Sequence, residues 1–378
     1  MQTFDRYVLR LFAKVLIVCL VSITGLYLVI DTFNNLDEFL RHGRQQGGLL
    51  RVLLDYYVAR VPWFFDRISS LLVLVGAMFA VTCLQRTNEM TALMAAGVTK
   101  WRIVKPLVAA AAVVSLLAVA NRELVIPAMR DKLMRNAQDW LGQVGKPLEP
   151  VIDNKTDILF TGRETYADEQ RIAQPNFRFH RPHGQFGRKL VAENGYYRGA
   201  QEGRPSGYLL QGVTDPADLS QIQSVSERGE PILLSPADTP WLAPDECFVV
   251  SEIQFNQLAG GSQWRQLAST PELVTGLRSS SLDYGLDAHV TVHARLVQPF
   301  LDLTLFFLGL PLVLSRENRN IFFAAGWCFL VVVVFVSVVL ACQTLGASGY
   351  LLRPSLAAWC PLILFAPIAT AVSSPIWD

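Results

Sequence analysis

The sequence predicts a membrane α-helical protein with an inserted all-β domain. We expect six transmembrane helices in two groups of three, and between them an extracytoplasmic, jelly-roll-like domain. Long apolar runs occupy the first third and the last quarter of the 378-residue chain, whereas no comparable run occurs between Asn121 and Arg295. A bilayer core about 30 Å thick needs roughly 20 apolar residues in a helix that crosses it. These runs place the helices in residues 1–140 and 286–378, and the β domain in residues 141–285.

The first three spans are predicted at Leu9–Ile30, Val61–Leu84 and Ile103–Ala120. Lys14 is near enough to the start of the first span for its long side chain to reach the headgroups. The second span is entered after Pro62, and the third has Pro106 in its first turn, where proline is tolerated. We expect the third helix to continue, exposed, through Asn121–Trp140. A short helix is predicted in the loop at about residues 86–100.

The last three spans are predicted at Leu296–Leu314, Ile321–Thr344 and Leu356–Ile376. The apolar run Ile321–Leu352 is too long for one span of ordinary length. The small residues after the fifth span therefore predict the turn that precedes the sixth. They are Gly346, Ser348 and Gly349.

The middle of the chain has the pattern of an antiparallel β domain, because apolar and polar residues alternate in short runs between turn residues. The runs are Asp157–Tyr166, Arg171–His180, Lys189–Gly199, Ser206–Asp215 and Phe248–Leu258. Turn signals at this spacing are typical of a sandwich or jelly roll. The segment Thr214–Pro240 is interpreted as a long loop, and Pro271–Leu286 as the return to the membrane.

Basic residues near the span ends predict the orientation. Nine Lys and Arg residues flank the spans on one side and six lie in the short segments on the other. Since cytoplasmic loops carry the excess of Lys and Arg, we expect both termini in the cytoplasm and the β domain outside. The N-terminal run is longer than a signal-peptide core and no A-x-A-like site follows before Asp31, so it is interpreted as an uncleaved first span.

Several functions are not indicated by the sequence. A net charge of +1 and the lack of a basic run indicate no nucleic-acid partner. No G-x-x-x-x-G-K-[ST] loop and no G-x-S-x-G elbow occur, so any use of ATP requires another subunit and no cofactor is predicted. No C-x-x-C pair occurs, so neither a zinc ribbon nor a thioredoxin-like motif is indicated. His289 and His293 are spaced i, i+4 but lack the Glu of H-E-x-x-H, and His180 and His183 are interpreted as surface histidines, so no metal site is predicted.

The segment Asn88–Arg102, in the loop between the second and third spans, is the most informative stretch. Its apolar and small residues fall on one face of a helix, at Met90, Leu93, Met94, Gly97 and Trp101. Glu89 near the start favours the positive end of the helix dipole, and Gly97 is expected to end or kink the helix. Two interpretations fit: an interfacial helix on the headgroups, or a coupling helix that docks in a groove on a cytoplasmic ATPase.

Four stretches carry a resemblance to a known family. They are FDRYVLRLF (Phe4–Phe12), NEMTALMAAGVTKWR (Asn88–Arg102), HARLVQP with LGLPLVLSRENR (His293–Pro299 and Leu308–Arg319), and LAAWCPLILF (Leu356–Phe365). Together with the order of three spans, β domain and three spans, they resemble the LptF/LptG permeases of the lipopolysaccharide export system. The second and the last stretch are the most specific, and the β domain matches by position and character.

The resemblance implies a transport function without catalysis in this chain. Two such permeases would form a heterodimer in the inner membrane, and a cytoplasmic ABC ATPase dimer would drive them to extract lipopolysaccharide or a related glycolipid. The β domain would join a periplasmic bridge protein. Glu89 would pair with a basic group on the ATPase. The docking face would consist of Met90, Leu93, Met94 and Gly97.

The chain also departs from the resemblance. Family members often carry Lys or Arg at the outer end of the first span, where this chain has Asp31, Asp37 and Glu38. Phosphate recognition there needs cations. Arg41, Arg44, Arg67 and Arg122 would supply them, and the alternative interpretation is that they are solvated loop charges. Asp302, an acid within an apolar span, is a further candidate for substrate binding.

Two other classes of function remain open from the residues. A secondary transporter needs ionisable groups and broken helices within its spans, and the spans here are nearly free of charge. A membrane sensor or mechanotransmission protein would use the β domain to bind a periplasmic ligand. Co-purification with an ATPase and a second permease would distinguish an exporter from both.

Overall fold

The computed structural model describes residues 3–45, 48–139, 144–182, 184–201, 203–227, 229–314 and 321–377. The chain forms two compact units. The first comprises Met1–Met129 with Gly285–Asp378, and the second comprises Arg130–Tyr284. The first unit is helical, and the second consists of an antiparallel sheet with short helices.

The helices of the first unit before the β domain are α1 (Thr3–Asn34), α2 (Leu36–Gln45), α3 (Leu49–Arg86), α4 (Glu89–Ala95), α5 (Lys100–Ala120) and α6 (Ile126–Ala128), with a π-helical turn at Asn121–Val125 between the last two. In the second unit, helices α7 (Arg130–Leu133), α8 (Phe255–Leu267) and α9 (Thr270–Arg278) flank the sheet. The first unit resumes with α10 (Gly285–Leu314), α11 (Ile321–Ser348), α12 (Pro354–Val372) and α13 (Ser374–Trp377).

Six of these helical stretches are long and apolar enough to cross a membrane, which confirms the predicted spans. The helices extend beyond the apolar runs, because polar residues at their ends continue the helix outside the hydrocarbon region. Most notably, α3 begins at Leu49 and contains Pro62, which was expected at the start of the span. The predicted turn before the last span is also confirmed, since α11 ends at Ser348 and Gly349 has a φ of 70°.

The continuation of the third helix is shorter than predicted. It runs through the π-helical turn and α6, and α7 ends at Leu133. The expected helix over Asn121–Trp140 is therefore wrong beyond this point, and Trp140 lies outside the described residues. Asn136 and Asp139 form a turn instead, with the Asp139 N–H donating to the Asn136 carbonyl. Asp139 also accepts a hydrogen bond from the Val144 N–H, so its carboxylate stabilises the turn.

The second unit contains an 11-stranded antiparallel sheet between residues 146 and 250. Its strands are β1 (Lys146–Pro147), β2 (Val151–Asp153), β3 (Ile158–Phe160), β4 (Glu164–Tyr166), β5 (Arg171–Ala173), β6 (Asn176–Phe179), β7 (Lys189–Arg198), β8 (Gly207–Asp215), β9 (Val225–Glu227), β10 (Glu230–Leu234) and β11 (Cys247–Val250). The main path runs β1-β4-β5-β7-β8-β11-β10-β9, and a side path β2-β3-β6 also joins β7.

The long strand β7 divides the sheet. One part of it pairs with β6 and another with β5, while β8 pairs along most of its length. Aromatic side chains fill the resulting core, with the Phe160 and Phe177 ring centroids 4.6 Å apart and Tyr208 fully buried beside them. The Tyr208 hydroxyl donates to the Ile253 carbonyl at 3.1 Å, so this buried polar group is satisfied.

Two local predictions in the β domain are wrong. The strand expected over Phe248–Leu258 ends at Val250, and Phe255 begins α8. Phe255 and Leu258 still reach the β core, because a helix also places residues i and i+3 on one face. The loop expected over Thr214–Pro240 contains β9 and β10.

The return to the membrane contains a helix that the sequence signals clearly. At Ser269-Thr-Pro-Glu272, the Ser269 N–H donates to the Glu272 carboxylate at 2.8 Å and the Glu272 N–H donates to the Ser269 hydroxyl at 3.4 Å. This reciprocal capping box begins α9, with Pro271 in the first turn.

Gly207, the first residue of β8, is required by close packing of the sheet. A Cβ atom there would lie 2.1 Å from the Val249 carbonyl oxygen on β11. We predict that Gly207→Ala separates these strands and destabilises the domain by about 1–3 kcal/mol, the usual cost of overpacking. Cys247 on β11 reports this change, because burial raises the pKa of its thiol to about 12 and keeps it unreactive when folded. We therefore expect maleimide to label Cys247 faster in the Gly207→Ala variant than in the parent protein. The measurement uses the full chain with its other cysteines replaced by serine.

Gly199→Ala is the matched control, since a Cβ atom at this position would have no neighbouring atom within 4 Å. Its labelling rate should equal that of the parent protein. Equal rates for the two alanine variants would contradict the packing argument.

Candidate functional site

The candidate site is the short helix α4 with the loop on either side of it. The end of α4 is fixed by a Schellman motif: the Gly97 N–H donates to the Met94 carbonyl and the Val98 N–H to the Leu93 carbonyl, each at 3.0 Å. Gly97 has a φ of 82°, which glycine adopts without strain. The expectation that Gly97 ends this helix is confirmed.

One face of α4 packs against its own chain. Met90 is 4% exposed and belongs to a core with Leu84, Ile103 and Phe306. Leu93 and Met94 are half-buried against the same core. These three residues were predicted to form a docking face. In this structure they pack α4 on the helical bundle, and Met90 is buried within the chain.

The other face of α4 is exposed and consists of small residues. They are Thr91, Ala92, Ala95, Ala96 and Gly97. Small side chains let a partner approach the helix backbone closely. The structure thus divides the predicted set: Gly97 belongs to the exposed surface, whereas Met90 belongs to the core.

Polar contacts tie α4 and the start of α5 to the start of α1. The Tyr7 hydroxyl donates to a Glu89 carboxylate oxygen at 3.3 Å, and Arg102 forms an ion pair with Asp5 at 3.1 Å. Glu89 therefore lies at the edge of the exposed surface, half-buried and hydrogen-bonded within the chain. The helix α13 also packs against α5, so the two ends of the chain lie at the same end of the bundle as α4.

A second polar region joins α3 to the end of α5. Arg122 binds the Asp66 carboxylate through Nε at 2.9 Å and Nη2 at 2.8 Å, and both side chains are largely buried. Asn121 donates to the Pro62 carbonyl at 2.8 Å. The π-helical turn that contains Asn121 and Arg122 directs both side chains toward α3.

Asp302 on α10 lies close to this region and is also bound within the protein. The Ser115 hydroxyl on α5 donates to one carboxylate oxygen at 3.0 Å, and the Gln298 amide donates to the other at 2.8 Å. The structure therefore places Arg122 and Asp302 in buried polar contacts. Both charged groups are bound to other residues of the chain.

Arg67 differs from these two residues because its side chain is exposed. Its guanidinium carbon lies 5.4 Å from the centroid of the Trp63 ring, one turn earlier on α3. It lies about 28 Å along α3 from Arg86, at 1.5 Å per residue, which is close to one hydrocarbon thickness. Of the three predicted substrate-binding residues, Arg67 is the most exposed.

A polar and aromatic cluster that was not predicted from the sequence joins α1, α2 and α3. The Tyr57 hydroxyl donates to Asp31 at 2.9 Å, the Arg60 guanidinium lies 3.4 Å from the centre of the Tyr56 ring, and Phe39 packs edge-on against that ring. The spacing of Tyr56, Tyr57 and Arg60 gave a signal, since aromatic and basic residues at i and i+4 share a helix face. Their partners on α1 and α2 are not evident from local pattern.

One comparison identifies the family to which the sequence is similar. The family described as lipopolysaccharide export system permease LptF/LptG matches residues 6–374, nearly the whole chain. The match includes all six apolar helices and the inserted sheet. No curated protein matches the chain significantly.

The buried pair Arg122–Asp66 makes a testable contribution to stability. We predict that Asp66→Ala lowers the free energy of unfolding by about 3–5 kcal/mol, because it leaves the Arg122 charge buried without its carboxylate. The double variant Asp66→Ala, Arg122→Ala should lose less. Thermal unfolding of the purified full chain measures both.

Arg67→Ala is the control for this pair, because it removes an exposed charge next to Asp66 and should change stability by less than about 0.5 kcal/mol. An equal loss in the Asp66 single variant and the double variant would show that the two side chains do not depend on each other.

Proposed function

Because the chain belongs to the LptF/LptG family of lipopolysaccharide export system permeases, we propose that α4 is the surface through which a cytoplasmic ATPase drives it. The protein is a transmembrane permease subunit of lipopolysaccharide export, and in this family a separate subunit hydrolyses ATP. This identity supersedes the alternatives of a secondary transporter and a membrane sensor. The protein is a multi-pass protein of the inner membrane, and its family membership implies a transporter complex.

The single observation that supports ATPase docking is the division of α4 into a buried and an exposed face. Met90 and the Schellman motif fix the helix on the bundle, and the exposed small residues leave room for a groove to close over it. A partner that pushes on α4 therefore pushes on α3 and α5, which lie directly before and after it. We propose that the docking surface is Thr91, Ala92, Ala95, Ala96 and Gly97, with Leu93 and Met94 at its margin.

We further propose that Glu89 offers a carboxylate to a basic group on the ATPase. Its hydrogen bond with Tyr7 orients the carboxylate at the edge of the docking surface. A carboxylate that accepts a neutral hydroxyl keeps its negative charge and further acceptor positions, so it can also bind a cation.

The partners and the orientation follow the same proposal. A second LptF/LptG-like permease would pair with this chain, an ABC ATPase dimer would bind the α4 end, and a periplasmic bridge protein would receive the glycolipid. Both termini would be cytoplasmic, since they lie at the α4 end of the bundle.

The apolar surface supports a substrate path along α1 and α11. In the most apolar part of α1 only 6% of the residues are buried, and in that of α11 only 11%. The corresponding share in α10 is 56%. Two nearly uncovered spans suit a surface that faces a lipid-filled cavity between two permeases. Arg67, exposed about one hydrocarbon thickness from the α4 end, would bind a headgroup phosphate there, whereas Arg122 and Asp302 would act within the protein.

Substitutions at α4 test the docking surface. We predict that Glu89→Lys and Ala95→Trp each reduce the ATPase recovered with the affinity-purified permease at least about tenfold, a loss of about 1.4 kcal/mol. The first reverses the charge, and the second places a large ring where the groove must close. Yield and membrane insertion of the permease should not change.

Two matched controls accompany these variants. Tyr7→Phe removes the hydrogen bond to Glu89 but keeps its charge, and Ala95→Ser keeps the small size, so both should retain the ATPase. If Tyr7→Phe loses as much ATPase as Glu89→Lys, the carboxylate only tethers α4 to α1. Full recovery of the ATPase with the Ala95→Trp variant would show that α4 is not the docking surface.

Photocrosslinking tests the substrate path. Val21 on α1 is 64% exposed and Phe329 on α11 is 71% exposed. Photoreactive residues at these positions should form lipopolysaccharide adducts during ATP turnover in the reconstituted complex. Leu116 on α5, also 64% exposed, is the control position and should form few.

An adduct yield at Leu116 equal to those at Val21 and Phe329 would indicate unspecific lipid contact rather than a path. In the same assay Arg67→Glu should lower the adduct yield and Arg67→Lys should preserve it, because lysine keeps the charge that attracts phosphate.

A further inference from the structure

One side of the first turns of α1 is basic and exposed. Arg6, Arg10 and Lys14 follow one another at i, i+4 and i+8, so they lie along the same side of the helix. All three are exposed, and none forms an ion pair within the described part of the chain. The acids of α1 lie elsewhere: Asp5 is buried, and Asp31 is about 26 Å from Lys14 along the helix, at 1.5 Å per residue.

The opposite side of the same turns holds α1 on the bundle. Val8 is 0% exposed and Phe12 is 3% exposed, and both belong to the core shared with α3, α5 and α10. A Cβ atom at Gly76 on α3 would lie 3.1 Å from the Phe12 ring, so the two helices approach closely here. The Asp5–Arg102 ion pair adds a polar contact to α5. These contacts fix the rotation of the helix, and the basic side therefore points away from the bundle.

Further along α1 the same side becomes apolar. Ile17, Val18 and Val21 follow Lys14 at i+3, i+4 and i+7, and they are 58%, 55% and 64% exposed. An exposed apolar surface on a membrane span contacts acyl chains, so the basic turns that precede it lie at the level of the headgroups. Arg6 and Lys14 are about 12 Å apart along the helix, and long basic side chains at the end of a span reach toward the interface.

From these observations we propose that the basic side of α1 binds the headgroups of anionic phospholipids in the leaflet at the α4 end. An anionic phospholipid supplies the negative charge that this side lacks, whereas a zwitterionic headgroup brings its own ammonium group. The guanidinium groups of Arg6 and Arg10 match the geometry of a phosphodiester. An acidic protein surface fits less well, because the basic residues continue directly into a surface that acyl chains contact. The inference does not depend on ATPase docking at α4.

The test is thermal unfolding of the full-length permease, purified with its co-expressed partners and placed in nanodiscs. One series contains phosphatidylcholine alone, and in the others phosphatidylglycerol replaces an increasing share of it. We expect phosphatidylglycerol to raise the Tm saturably, by about 2–4 °C. Sodium chloride at about 1 M should remove most of the difference between the lipids, because the Debye length falls to about 3 Å.

Variants locate the effect on α1. The triple variant Arg6→Gln, Arg10→Gln, Lys14→Gln removes the charge and should keep at most about a third of the Tm shift. The matched control, Arg6→Lys, Arg10→Lys, Lys14→Arg, changes the same three positions but keeps the charge, so it should retain most of the shift. Recovery of the ATPase in detergent, in the absence of phosphatidylglycerol, should be equal for both triple variants.

A lipid response that the glutamine variant loses and the charge-preserving variant keeps supports the proposal. If the glutamine variant does not insert, Arg6→Gln alone should lower the shift by about a third, and an unchanged shift in this single variant overturns the proposal. A parent protein with the same Tm in both lipids also overturns it, as does a glutamine variant with the full response. Loss of the ATPase from the glutamine variant in detergent would assign these cations to a protein contact instead.

Discussion

The hydrocarbon region excludes unbalanced charge, and the pair between Arg122 and Asp66 shows how the bundle meets this constraint. Asp66 lies about 30 Å along α3 from Arg86, so the pair holds α3 against the end of α5 roughly one hydrocarbon thickness from α4. Because neither charge is tolerated alone in a nonpolar environment, the contact specifies which turns of the two helices meet. Asn121, next to Arg122, fixes the same register by binding the Pro62 carbonyl.

The Arg122–Asp66 ion pair determines which helices would respond to a force applied at α4. The helices α3 and α5 are held together at one end by Arg122–Asp66, and α4 with its flanking loops connects them at the other. Asp5–Arg102 adds the start of α1 to this group. The helix α11, in contrast, packs mainly against α10 and α12. A force on α4 would thus act on α1, α3 and α5, and through the shared core also on α10.

The number and order of the spans could be predicted because each depends on a local run of apolar residues. The orientation of α4 could not be predicted, although Met90, Leu93 and Met94 were correctly placed on one face of the helix. Periodicity shows that a face is apolar, but it does not show whether the chain's own core or a partner covers it. The same limit applies to Asp302, whose isolation in the sequence is plain but whose partner Ser115 comes from another helix. By contrast, the capping box of α9 could have been recognised from Ser269 and Glu272. It was not predicted, because Pro271–Leu286 was interpreted only as the return to the membrane.

The acidic residues at the far end of the first span bear on the substrate. Free carboxylates there would repel a phosphorylated headgroup, which would argue for a different glycolipid. Asp31, however, accepts a hydrogen bond from Tyr57, and the buried Arg60 lies on the neighbouring Tyr56 ring. Asp31 therefore serves to join α1 to α3, and its charge is directed into the protein. Arg41, Arg44 and Arg67 are exposed in this region, as is Asp37. Three exposed arginines in α2 and α3 are compatible with an anionic glycolipid.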